Sequence, residues 1–277
     1  SALLTQKTEG NSNSAMKLSQ EKIESILPST IDKKKLFRFL KEKRLTGEFL
    51  PENKVNAFAR LYGHILGDGT LHPHYKNPVG QHGLKITFSG NDTDLLEIKK
   101  DLFMLGFKSN QKIVKTRRSS EVKFINYGVK KINGVSTCFK TGIVGLWAIF
   151  RALDFPVGEK TITEVQIPDW ILSGPKNVKR EFLASFCGSE CSGIRWQNGK
   201  FPERLVLPFS KIELLEANGN LFAQQIMKLF KEFDVETTLY KRQYIERKDG
   251  HKTIQFLIYV KNILMVLYGY WIIIKEN

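Results

Sequence analysis

The feature that most constrains this chain is that its second half repeats the plan of its first. From Val55 onward a helical stretch "NAFARLYGHILGDG" leads through a strand-like "LKITFSG", a helical "DTDLLEIKKDLFMLGF", strands near "KIVKTRR", "VKFINY" and "VSTCFK", and a helical "GIVGLWAIFRALDF". The second pass runs from "VKREFLASFCGSE" through "RLVLPFS", a helical "ELLEANGNLFAQQIMKLFKEFDV", strands near "TTLYKRQYIE" and "KTIQFLIYV", and a stretch "NILMVLYGYW" expected to be helical. A duplication of this kind predicts two similar units related by a pseudo-twofold axis. It divides the chain into a polar, Ser/Asn-rich leader over 1–20, expected to be disordered, a basic helical extension over 21–54, a first unit over 55–155, a Pro- and Gly-containing connector over 156–178, and a second unit over 179–277.

Each unit opens on a helix that ends in an acid, Asp68 in "LYGHILGDG" and Glu190 in "FLASFCGSECSG". Gly63 and Gly67 lie one turn apart, and Ala184 and Gly188 are taken as their match, so two such helices can approach closely while Leu61, Ile65, Phe182 and Phe186 face each unit's own core. Two carboxylates brought together at a helix-pair tip repel unless a cation lies between them, which points to a shared divalent-metal site. Taken alone, Asp68 reads as an ordinary turn residue in a Gly-Asp-Gly cap. Its counterpart in the second unit favours the functional reading.

Charge agrees. Lys and Arg number 43 against 28 Asp and Glu, a formal charge of +15, and such an excess points first to nucleic acid and second to an anionic membrane surface. The apolar run Ile263–Ile274 is too short to cross a bilayer, is closed by Lys275, and reads as a buried helix or strand; the N-terminus has no secretory signal. No membrane role is expected. Three cysteines, Cys138, Cys187 and Cys191, form no CxxC pair, which fits an intracellular, reducing compartment. Cys187 and Cys191 read as buried small side chains, and His64, His72, His74 and His82 show no zinc-ligand spacing.

With both motifs in view, the chain resembles a single-chain, two-repeat LAGLIDADG homing endonuclease. "LYGHILGDG" and "LASFCGSEC" match the family's nine-residue motif, and the resemblance covers roughly residues 55–277. It implies an α+β fold of two pseudo-symmetric αββαββα repeats, with a central helix pair and saddle-shaped antiparallel sheets for DNA. It also implies a staggered double-strand break in a long, pseudo-palindromic target by metal-dependent phosphodiester hydrolysis. Asp68 and Glu190, with the adjoining Gly67 and Ser189, would hold Mg²⁺ or Mn²⁺, with Ca²⁺ able to bind without supporting cleavage. The run "FPVGEKTITEVQIPDWI" places Lys160 where the family commonly has a lysine near the active site, and Lys275 is its counterpart in the second half. The chain departs from the family where Phe88 replaces a frequent Gln, where Phe209 or Ser210 fills the equivalent place, and at Ser189 and Cys191 within the second motif. These departures touch the solvent-ordering positions and leave both acids in place.

DNA reading is expected of the ribbons. Lys85, Lys115, Arg117, Arg118, Lys123, Arg195, Lys241, Arg242, Gln243, Arg247 and Lys252 supply side chains for base edges and phosphates, since a two-stranded ribbon fits the major groove. The basic extension is either a solvated surface helix or a phosphate-contacting arm. Duplicated halves that differ in their base-reading positions suit a monomer on an imperfect palindrome. Two other readings stay open. A LAGLIDADG-like maturase would bind host intron RNA without cutting DNA, and the presence of both acids favours cleavage without excluding a dual role. An intein endonuclease is hinted at by Asn277, but no His precedes it and Ser1 is not followed by a splicing block, so a free-standing or intron-encoded enzyme is preferred.

Overall fold

The computed structural model describes residues 16–76, 82–108, 110–124, 128–191, 196–197, 201–202, 205–242, 244–246, 250–260, 265–268 and 271–274. Two short helices lead in. α1 (Gln20–Ile26) starts where the Ser19 side chain accepts from the Lys22 amide, and α2 (Lys33–Glu42) where Asp32 does the same for Lys35. Such caps satisfy donors that the first turn leaves without partners. Leu36, Leu40 and Leu45 are buried, while Lys34, Lys35, Arg38 and Lys41 face solvent, so this segment is an amphipathic cover. The leader expected over 1–20 is corrected at its end: Met16 bridges Leu50, and Met16 and Leu18 are both buried, because apolar side chains within a polar stretch still find the core.

The first unit begins with α3 (Glu52–Gly67). Then come β1 (Thr70–Leu71), β2 (Tyr75–Lys76), β3 (His82–Gly83), β4 (Ile86–Ser89), α4 (Asp92–Met104), β5 (Val114–Phe124), β6 (Gly128–Thr141) and α5 (Val144–Ala152). α4 is fixed by a reciprocal capping box between Asn91 and Asp94. The sheet runs β1-β4-β6-β5, every pair antiparallel, and β4 alternates buried and half-buried residues as a one-faced strand should. The close packing of α2 on α5 requires Gly145, whose missing side chain leaves room for Leu40 and Leu36.

A short α6 (Asp169–Leu172) precedes α7 (Lys176–Glu190), which starts after Pro175. There follow β7 (Trp196–Gln197), β8 (Phe201–Pro202), β9 (Leu205–Ile212), a 3₁₀ turn at Glu213–Leu215, α8 (Glu216–Lys231), β10 (Thr237–Lys241), β11 (Ile245–Glu246) and β12 (Lys252–Val260). In the second sheet β12 pairs with β9 on one side and with β10 and β11 on the other, again antiparallel. The closing helix expected over "NILMVLYGYW" is corrected to strands, β13 (Met265–Tyr268) and β14 (Trp271–Ile274), paired with Tyr268 opposite Trp271. Its aromatic and β-branched residues around Gly269 favour a hairpin, and with no polar face the run carries no helical period to oppose it.

Two aromatic pairs mark the inner faces of the sheets. Phe88 and Phe139, directly opposite on β4 and β6, stack with centroids 4.9 Å apart; Phe209 and Phe256, opposite on β9 and β12, stack at the same 4.9 Å. Cross-strand aromatic pairs are among the stronger units of sheet stabilisation. Between the units, Arg60 of α3 holds Asp101 of α4 and Glu181 of α7, the latter at 3.0 Å.

Candidate functional site

Where α3 and α7 meet, the backbones touch. A Cβ on Gly63 would fall 2.6 Å from the Phe182 carbonyl oxygen, and one on Gly67 would fall 2.5 Å from the Ser189 Cβ. The matching of Ala184 and Gly188 to Gly63 and Gly67 is therefore corrected. The α7 residues facing the glycines are Ser185 and Ser189, the same distances before Glu190 as Gly63 and Gly67 are before Asp68, whereas Gly188 is exposed. Small side chains alone do not reveal which helix face is the seam; the register set by the acids does.

This seam delivers Asp68, the cap of α3, and Glu190, the last residue of α7, to one end of the helix pair. Lys160 joins them from the connector, its Nζ donating to the carbonyls of Ile65 (3.2 Å), Leu66 (2.5 Å) and Gly67 at the end of α3. The negative end of a helix dipole favours a cation there. Burial pushes the Glu190 carboxyl up to about 7, with Lys160 opposing and Asp68 reinforcing. It raises Asp68 as well, again against Lys160. Burial lowers the Lys160 ammonium to about 8 although both acids favour its charge. These three groups interact with one another, the usual condition of a working site. His64, also in the seam, is pushed down to about 4 by burial, which keeps it neutral at pH 7.

One residue here was not foreseen. Lys211 on β9 is 2% exposed, and its Nζ donates to the Lys160 carbonyl at 2.6 Å and the Thr163 carbonyl at 2.5 Å. Ile212 N–H adds a bond to the Thr161 carbonyl at 3.1 Å, so β9 clamps the turn that carries Lys160. A cavity of about 310 Å³ opens beside this turn, walled by Glu190, Lys160, Lys211, Ser210, Gln255 and Phe209 among others. The sequence signal was a lysine at an inward position of β9, directly opposite Ile254.

The residues present fit a hard divalent cation. Two carboxylates stand at two helix ends, the last carbonyls of α3 already accept from Lys160, and among the described residues no group of three or more His, Cys, Asp or Glu forms a closed cage. Mg²⁺ favours such an open set, taking one or two carboxylates and leaving positions for water and phosphate.

The sheets' other faces offer polar surface. On the first, Thr87 faces Lys140 across the ladder, and His72 Nε2 meets Thr87 Oγ1 at 2.8 Å near Lys85. Arg117, Arg242 and Lys252 are exposed, although alternation along the strands puts Arg117 on the same face of β5 as Lys115 and Lys252 on the same face of β12 as Phe256. Lys115 and Lys241 are instead engaged behind the sheets, Lys115 with Asp92 of α4 at 2.5 Å and Lys241 with Glu216 of α8 at 2.8 Å. Arg118 and Lys123 lie on β5, but their side chains, like Arg195, Gln243, Arg247 and Lys275, fall outside the described residues. Among the described residues no helix is long and apolar enough to cross a membrane.

No family model matches the chain. It is 31% identical over 249 residues to the DNA-directed RNA polymerase subunit Rpo1N of Methanocaldococcus jannaschii, covering 88% of this chain and 18% of that protein. It is 33% identical over 214 residues to the tRNA-splicing ligase RtcB of Pyrococcus furiosus, 74% of this chain and 20% of the ligase, and 27% identical over 269 residues to the replication factor C small subunit of M. jannaschii, 92% and 13%. The chain thus spans about a fifth or less of these three curated relatives. Among solved structures, the I-LtrWI LAGLIDADG homing endonuclease bound to target DNA aligns at 14% identity and a TM-score of 0.33, over 74% of this chain and 78% of the other.

Proposed function

We propose that this chain is a site-specific homing endonuclease of the LAGLIDADG type that makes a staggered double-strand break in a long, pseudo-palindromic DNA target. The observation that carries the reading is the placing of Asp68 and Glu190 at the ends of two close-packed helices, with Lys160 bound to the end of α3 and acting on both carboxylates. The corresponding strand orders β4-β6-β5 and β9-β12-β10 support two pseudo-symmetric repeats around that helix pair.

A divalent ion, Mg²⁺ or Mn²⁺, held by Asp68, Glu190 and the neighbouring carbonyls of Gly67 and Ser189, would activate water and neutralise charge on the scissile phosphate. Lys160, with its pKa lowered toward neutrality, can orient that water or offset charge developing on the phosphate. Lys211 holds the turn that aims Lys160. Lys85 and Lys140 on the open face of the first sheet, with Arg117, Arg242 and Lys252 on the ribbons, meet the DNA as a monomer. The net charge of +15 favours the same polyanion, and with it an intracellular site of action.

The relatives sharpen the biology. One stretch of sequence recurs within a polymerase subunit, a ligase and a replication factor, and it makes up only 13–20% of each. A segment shared by proteins with such different names does not carry any one of their activities, so it behaves as a portable module. This favours a nuclease embedded in longer host proteins, the intein-type placement, over the free-standing one preferred from sequence. A maturase acting on intron RNA remains the second reading, because the same cationic sheets would bind RNA.

The test is selection of cut sites from a randomised duplex library with Mg²⁺, comparing the parent with Asp68→Asn and Glu190→Gln. One long site with staggered ends, lost in either variant, supports the endonuclease. No cutting by the parent, with tight salt-sensitive binding to intron RNA, would sink it in favour of the maturase.

A further inference from the structure

Away from the acids, polar contacts pin the helix seam: Asn177 donates to Glu52 at 2.6 Å, Arg60 pairs with Glu181 at 3.0 Å, and the Ser185 hydroxyl donates to the Arg60 carbonyl at 2.7 Å. Over the last turn before the acids the seam is glycine against serine, where Gly63 and Gly67 meet Ser185 and Ser189. The acids demand that it be fixed. A slip of one residue along α7 would swing Glu190 about 100° around the helix axis and carry it away from Asp68.

Among the described residues, the polar side-chain contact between the two helices nearest the acids joins His64 and Ser189. His64 lies one turn before Asp68, Ser189 immediately precedes Glu190, and His64 Nδ1 stands 3.1 Å from Ser189 Oγ. Ser189 Oγ also lies 3.1 Å from the Ser185 carbonyl, so its hydroxyl either donates there and accepts from Nδ1–H or donates to Nδ1, according to which ring nitrogen of His64 carries the proton. His64 is 2% exposed, and its ring stacks on Phe88 with centroids 6.2 Å apart. The Ser189 Cβ in turn fills the space beside Gly67. In the register set by the acids, His64 corresponds to Phe186 and Ser189 to Gly67, so the second half has no copy of this bond. A satisfied polar contact within an apolar interface contributes less to stability than to the choice of one arrangement among many.

We propose that the His64–Ser189 hydrogen bond is the positioning contact that carries the register of the seam through its last turn and holds the two acid-bearing helix ends together, so that Asp68 and Glu190 reach the same cation. This rests on the metal-site reading of the two acids. His64 and Ser189 are positioning residues here, acting through the helices that carry the carboxylates.

The experiment uses the whole chain with His64→Phe, Ser189→Ala, the double variant, and His64→Asn, whose side-chain amide can still donate to Ser189. Ca²⁺ binding is measured by calorimetry on the free protein, thermal unfolding is followed without metal, and single-turnover cleavage is measured on the selected site. Each of the first two variants is expected to weaken Ca²⁺ binding and slow cleavage about tenfold, with a melting temperature within a few degrees of the parent. The double variant should be no worse than either single, since both remove one bond, and His64→Asn should recover most of the affinity. Unchanged Ca²⁺ affinity, additive losses, or affinity that falls only as far as the melting temperature falls would overturn the proposal. A parent that binds Ca²⁺ and cuts no DNA defeats the nuclease reading alone, because the positioning result is read from binding. A parent that binds no Ca²⁺ defeats both.

Discussion

The two halves of the molecule share a backbone device and differ in how they house the acid. Both end a helix in a carboxylate, both stack a phenylalanine pair on the inner face of the sheet, and both tie a ribbon lysine to the first turn of the helix behind it, Lys115 to Asp92 and Lys241 to Glu216. Around the acids they part. Asp68 reaches solvent at its helix cap, whereas Glu190 lines a cavity with Lys160 and Lys211 and is pushed up to about 7. In the register of the stacked phenylalanines, Lys211 corresponds to Gly90, which has no side chain to offer. The helix end and the stacked pair are alike in the two halves, while the surroundings of each acid differ.

The harshest way to break the comparison is to remove one acid at a time. Asp68→Asn and Glu190→Gln should each reduce cleavage about a thousandfold, the scale of losing a preorganised charge-stabilising group. Quantifying both strands on a plasmid carrying the selected site would show whether the ends serve one shared centre. If a variant still cuts one strand at the parental rate, the two acids work independently.

Next in size is the bond between halves. Arg60 corresponds to Phe182 in the acid register, and it alone joins α4 to α7 by charge among the described ion pairs. Burial disfavours its charge, but the hydrogen bonds and charges of Asp101 and Glu181 outweigh that and hold its pKa up. Arg60→Ala would leave the buried Asp101 without its cation and Glu181 with Arg180 alone, at 3.3 Å, and should cost about 3 kcal/mol in denaturant unfolding. A loss under about 1 kcal/mol would mean that the rest of the seam holds the halves without this charge cluster.

A pH series sharpens the contrast at Glu190. A carboxyl raised by burial binds its proton more tightly folded than unfolded, so its contribution to stability is present at low pH and is lost as pH rises through the folded value, about 7. Metal binding needs the ionised form and should strengthen over the same interval. His64, held at about 4 against an ordinary 6.5, contributes in the opposite sense over the lower part of this interval, so the readout is the difference between the parent and Glu190→Gln. Without metal the parent's melting temperature should drop relative to that of Glu190→Gln between pH 5 and about 7.5, and Mg²⁺ should raise the parent alone at the upper end. A difference that does not change with pH would mean that Glu190 titrates as an ordinary exposed carboxylate.

What could be read in the sequence follows from what leaves a local trace. The acid-ended helices were legible because "LYGHILGDG" combines an apolar period with a stop, and its partner repeats it. The seam was read one position off, since Ala184 and Gly188 are as small as Ser185 and Ser189 and only three-dimensional apposition separates the pairs. The C-terminal hairpin was missed because a uniformly apolar run has no polar face from which to tell helix from strand. Lys211 left only a cation in an inward strand position; its meaning depends on carbonyls at Lys160 and Thr163, far away in the chain.

The smallest effect tests the lysines on the two sides of the first sheet. The sequence treated Lys85 and Lys115 alike as DNA contacts, but Lys115 is engaged by Asp92 behind the sheet while Lys85 lies near His72 on the open face beside Lys140. Each phosphate neutralised by a lysine releases counterions, and removing one such contact lowers the slope of log affinity against log salt by about one. Lys85→Gln and Lys140→Gln should each show that loss on the selected duplex, whereas Lys115→Gln should leave the slope close to the parent's, because its charge is already balanced. Lys241→Gln, in the matching place on the second ribbon, should behave as Lys115→Gln does. If either ribbon lysine instead reduces the slope by a full unit, its carboxylate partner gives way when DNA binds, and the likeness between the two halves extends to a pair of exchangeable phosphate contacts.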